Sequence, residues 1–307
     1  MFESVFSNVA IMLIYMLVGL FICLSKKSIA AHAKSFSGLL LYVLGPAMLI
    51  NSFMHLEYSK ESFIQLGKFF IISLILQILF FGVLYIIFNR KYEDAKYRIL
   101  TIGGVLGNVG YLGMPIAVTV FPDNPVVACY SSIYVMSMNL IVFTIGVFLI
   151  TNDKKYMSLK HAILNPTSIA IFISLPIYFF GIKFPSMVEN SVDALAKMVT
   201  PMCMIILGMR LSTVKFKALF GRPTIYGACL LKLIIYPVFV FLCVNWLPFL
   251  DGTLKGTLIV LSTTPTGAIV NGLAELHECE QELAANVVLL TTILCVITIP
   301  LVVTVLI

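Results

Sequence analysis

Ten predominantly apolar runs divide this chain, at roughly 5–24, 37–54, 67–88, 99–121, 126–150, 163–182, 192–209, 224–247, 254–274 and 283–306. Each approaches the length of about 20 residues that a helix needs to cross the hydrocarbon of a bilayer. With 60% hydrophobic and only 11% charged residues, the chain lies outside the range of soluble globular proteins. The expected fold class is an all-α, multi-pass membrane protein with ten transmembrane helices.

Lysine and arginine set the expected orientation. The connections after segments one, three, five and seven hold fourteen of the 20 basic residues, among them Lys26, Arg90, Lys154, Lys215, Lys217 and Arg222. The alternate connections hold five, Lys60, Lys68, Lys183, Lys197 and Lys255, and Lys232 lies within a span. The positive-inside rule then puts both termini outside the cell membrane and the basic loops in the cytoplasm. The net charge of +6 is explained by those loops, so no nucleic-acid partner is expected. The first segment lacks a basic flank and a small-residue cleavage site, so it is read as a retained helix rather than a signal peptide. Six of the seven cysteines lie in or beside apolar segments, Cys279 lies in a polar loop, and no metal-ligand spacing occurs among them. No cofactor is expected.

The two halves resemble each other. Pro46 precedes Pro201 by 155 residues, and Pro115 precedes Pro265 by 150. Residues 1–150 and 163–307 therefore read as two five-helix repeats joined by a cytoplasmic linker, 151–162. An odd number of spans in each half gives the second the opposite topology, and inverted repeats of this kind usually serve transport.

Segments four and nine carry the strongest local signal. Segment four contains Gly103-Gly104-Val-Leu-Gly107-Asn108-Val-Gly110-Tyr111-Leu-Gly113-Met114-Pro115, and segment nine contains Ser262-Thr263-Thr264-Pro265-Thr266-Gly267. A mid-span proline removes one backbone donor and displaces the carbonyl four residues before it. Each helix is therefore expected to kink or unwind near its proline. Free backbone groups survive at membrane depth only where they line a cavity, and paired broken helices mark a carrier's substrate site. For Gly103 and Gly107, a plain small-residue packing face is an equal reading.

The run Gly107-Asn108-Val-Gly110-Tyr111-Leu-Gly113-Met114-Pro115 resembles the signature of the auxin efflux carrier family, which includes plant PIN auxin exporters and bacterial malate and malonate permeases. The stretch from Ala285 to Leu301 resembles the last helix of that family. The resemblance implies crossing broken helices four and nine, as in sodium/proton antiporters and bile-acid transporters, and an elevator-type movement. It implies that Asn108 contacts a substrate carboxylate, that Asn139 is a second site asparagine, and that Pro115 and Pro265 are the crossover prolines. The long cytoplasmic loop of many plant exporters is missing, and the glutamate-rich loop after segment nine is closer to prokaryotic members.

Other polar residues within spans complete the candidate site. The substrate-binding candidates are Asn108, Tyr111, Gly113, Met114, Pro115 and Asn139, with Asn51, Ser52, Thr263, Thr264 and Pro265. Lys232, with Gln77 at the related position 155 residues earlier, is expected to supply positive potential, unless its side chain snorkels to the interface. Trp246 reads as an interfacial anchor. No span holds an aspartate or glutamate near its middle, which disfavours a cation or proton antiporter. The expected function is secondary transport of a small organic anion, a mono- or dicarboxylate such as malate or an auxin-like acid. A proton or sodium ion as coupling partner and a homodimer both stay open. A sensor on a transporter scaffold is the alternative. An enzyme is not expected, because His32, His55, His161 and His277 are scattered without ligand spacing.

Overall fold

A computed structural model describes residues 2–213, 219 and 221–307; Lys215 and Lys217 of the basic loops lie outside them. Its regular elements are helices: α1 (Phe2–Ser25), α2 (Ala33–Met54), α3 (Lys60–Lys91), α4 (Ala95–Val105), α5 (Val109–Val120) and α6 (Val126–Thr151). They continue with α7 (Pro166–Phe180), α8 (Ser186–Leu211), α9 (Pro223–Asn245), α10 (Gly252–Ser262), α11 (Ala268–Leu276) and α12 (Gln281–Leu306). Seven of these are long and apolar enough to cross a membrane. The expected sixth span is the 15-residue α7, while the fourth and ninth are each split in two, as α4–α5 and α10–α11.

The sequence supplies the helix ends. Ser59, Asp94, Asn165 and Asp251 cap α3, α4, α7 and α10 through side-chain oxygens that accept first-turn backbone N–H groups. Lys96 holds the Asp94 carboxyl below its usual range, chiefly by a side-chain hydrogen bond, so the cap of α4 keeps its negative charge. Gly181, at φ 58°, ends α7 in the left-handed conformation. The outward faces are apolar: Ile86, Phe180 and Val305 are 73–79% exposed, as a lipid-facing surface requires.

Prolines act differently from expectation. Gly45, Met114 and Tyr236 each directly precede a proline, and each donates its N–H to the carbonyl five residues back, closing a π turn. The wider turn absorbs the missing donor, and the helix continues through Pro46, Pro115 and Pro237. The break in the fourth span therefore falls at Leu106–Asn108, seven residues or more before Pro115. In the ninth span it falls at Thr263–Gly267 and does contain Pro265.

Packing is closest within two sets of helices, which meet where α1 lies against α12. α1 lies along α8, and α2 packs on α7 and on the first half of α8; α3 pairs with α6, and α9 touches α4, α10 and α12. The α1–α8 contact is backbone to backbone at Gly19 and Gly208.

Candidate functional site

The two breaks meet. Asn108 N donates to Pro265 O at 2.8 Å and Gly267 N donates to Leu106 O at 3.0 Å, giving an isolated antiparallel bridge between Gly107 and Thr266. Close approach selects glycine on both sides. A Cβ at Gly267 would stand 2.8 Å from Gly107 O, and one at Gly107 would stand 2.4 Å from Thr264 Oγ1. Thr266 pins the crossing to its neighbours: its hydroxyl donates to Gly103 O at 2.8 Å, and its N–H donates to Thr291 Oγ1 of α12 at 3.1 Å.

Two kinds of helix end result. The N-termini of α5 and α11 begin at Asn108 and Gly267 with no side-chain cap. Their first N–H groups have no partner within the helix, and such an end carries about half a positive charge. Both ends open on a cavity of about 290 Å³. Asn108, Tyr111 and Asn139 line it, together with Cys203 and Arg210 of α8 and Ala268 of α11. Arg210 is the charged residue among the described lining, and no carboxylate belongs to it. The Asn108 amide has one weak contact, its Nδ2 to Cys203 Sγ at 3.9 Å, and Asn139 Nδ2 reaches Asn165 Oδ1 at 3.4 Å, so both retain hydrogen-bonding capacity. Arg210 reaches Glu275 at 3.4 Å, while Glu275 also accepts from Asn271 Nδ2 at 2.6 Å.

The other candidates lie away from the cavity lining. Ser262, Thr263 and Thr264 each turn the hydroxyl back onto a carbonyl three residues earlier, at 2.6–2.8 Å, and so finish α10. Gly113 packs against Thr264, and Met114 is buried. Pro115 displaces the Tyr111 carbonyl from its helical bond, and the Thr200 hydroxyl of α8 donates to that carbonyl at 3.1 Å. Ser52 pairs with Ser132 at 2.8 Å in the α2–α6 contact, and Asn51 lies beside Asp193.

Lys232 does not snorkel. It is 1% exposed, and its ammonium donates to Val105 O and Ser262 O, both at 3.2 Å. Gln77 instead donates to Ser73 O and Ser137 Oγ, both at 3.0 Å, and serves the α3–α6 contact. Sequence reasoning missed Arg210, which reads as a loop cation, and Thr291, whose hydroxyl is unremarkable in an apolar helix until Thr266 is seen beside it.

Residues 154–303 match the family model described as membrane transport protein. A protein of Methanocaldococcus jannaschii, named as an uncharacterized transporter, is 26% identical over 293 residues, a match covering 92% of this chain and 93% of that one.

Proposed function

We propose, from the match of residues 154–303 to the membrane transport protein family model and the likeness to a relative named as a transporter, that this chain is a secondary carrier for a small organic anion, a mono- or dicarboxylate. The observation that carries the reading is the cavity itself. Two uncapped helix N-termini, the Asn108 amide and the Arg210 guanidinium converge on a space whose described lining holds no carboxylate. Such a lining favours an anion and disfavours a cation. A volume of about 290 Å³ suits a small metabolite, being at the lower end of ligand cavities.

In this reading the substrate carboxylate lies on the N-terminus of α5, with Asn108, Tyr111 and Asn139 around it and Arg210 toward the opening. Residues 1–150 and 163–307 form the two inverted repeats. The group holding α1, α2, α7 and α8 stays fixed, and the group carrying the crossing moves against it as an elevator. With the termini outside, the cavity opens toward the cytoplasm, on the side of the basic loops.

The direct test is a thermal-shift screen of the purified protein against carboxylates, followed by counterflow of a labelled hit in proteoliposomes. A bound anion must raise the melting temperature, and a carrier must exchange it. Stabilisation by cations but by no carboxylate, or binding without exchange, defeats the reading.

A subsidiary result is expected at the opening. Arg210 has a side chain 30% exposed, so screening limits its pull. Arg210→Gln should weaken a dicarboxylate by about threefold to tenfold, less at high salt, and a monocarboxylate by less. Titrations of both ligands at two ionic strengths check this.

A further inference from the structure

The other ends of the broken helices meet as well, and they meet on Lys232. Val105 is the last residue of α4 and Ser262 the last of α10, and the Lys232 ammonium donates to the carbonyl of each at 3.2 Å. A helix C-terminus carries about half a negative charge, so two of them present about one unit to one ammonium. The Tyr236 ring lies 4.5 Å from the same nitrogen and adds a cation–π contact. Room is left by Gly107, where a Cβ would stand 3.0 Å from Nζ. A lysine only 1% exposed and without such partners would cost several kcal/mol. Carbonyl oxygens at half-helix C-termini are also what coordinates a free monovalent cation in carriers with broken helices.

We propose that the space between the C-terminal ends of α4 and α10 is a monovalent-cation site, and that Lys232 fills it with a cation tethered to α9. Lys232 is not among the residues lining the cavity. It is therefore a positioning residue. By neutralising the two carbonyl ends it holds the crossing in the geometry that turns the opposite ends toward the cavity.

This assignment goes beyond the anion-carrier reading and is tested without any substrate. Lys232→Ala removes the tether and leaves the space. Purified variants are melted with ethylammonium chloride, sodium chloride or ethanol, at ionic strength held constant by choline chloride. Lys232→Ala should melt below the wild type and regain stability saturably with ethylammonium or sodium, by about a few degrees, while the wild type does not respond. Lys232→Met, which fills the volume without charge, should stay low and unresponsive. Three results overturn the proposal: Lys232→Met as stable as the wild type, an equal response of Lys232→Ala to ethanol, or its failure to respond to either cation. Extraction of Lys232→Ala is carried out with ethylammonium present, and failure to recover folded protein even then also counts against the site.

Discussion

A Gly208→Ala protein is expected to accumulate poorly and to melt far below the wild type. The Cβ added there would stand 1.9 Å from Met16 O and 2.8 Å from Leu20 N, and these are backbone atoms that no rotamer change can move. Gly19 faces the reverse situation, with Ile205 O at 2.0 Å from its would-be Cβ. Two helices without side chains at their contact approach closely enough for extensive van der Waals packing, the main attraction available between helices in lipid. Alanine would force the axes of α1 and α8 apart by about 1 Å and loosen that packing along the whole contact. Overpacking usually costs about 1–3 kcal/mol, and a clash with rigid backbone belongs at or above the top of that range. Fluorescence-detected size exclusion of detergent extracts, with melting of any recovered protein, measures the loss. Gly67, which has open space around it, is the control, and Gly67→Ala should behave as the wild type.

Asn108→Ala should bind its carboxylate about tenfold to a hundredfold more weakly at nearly unchanged stability. A hydrogen bond to a charged group contributes about 1.5–3 kcal/mol, which corresponds to that range in affinity. The fold hardly depends on this side chain, whose one hydrogen-bond contact is the 3.9 Å approach to Cys203 Sγ, whereas its backbone N–H serves the crossing, its C=O accepts from Leu112 and Gly113 in the first turn of α5, and both survive the change. Uptake kinetics at matched membrane abundance decide the matter, and wild-type affinity in the variant removes Asn108 from the site.

The long helices were legible because an apolar run of sufficient length in a membrane has few alternatives to helix. The break in the fourth span was misplaced for a physical reason. Pro115 signals a lost donor, but a π turn over Val109–Gly113 accommodates that loss locally. The actual break at Gly107 is fixed by Thr266, a residue 159 positions away that no local pattern reveals. Asn108, Tyr111 and Asn139 do come together at one cavity. Thr263 and Thr264 do not join them, because the carbonyls at the end of α10 claim their hydroxyls. Arg210 could not be distinguished from the other loop cations, since its place at the cavity depends on how α8 lies against α11.

The π turn over Leu231–Ile235 also sets the phase of α9. Ala228, Lys232, Tyr236, Val240 and Val244 are all buried, one residue in every four. On a regular helix, with about 100° per residue, such a stripe precesses by about 40° at each step and winds toward the lipid. One additional residue in a wide turn takes out about 100° of that drift, so the halves of α9 before and after Pro237 present the same side inward. The turn works as a vernier between a four-residue pattern and a 3.6-residue screw. Were the turn to tighten into a regular α turn at unchanged length, composition and hydropathy would be the same, yet everything from Tyr236 to Asn245 would rotate by about 100° out of step with the half that carries Lys232.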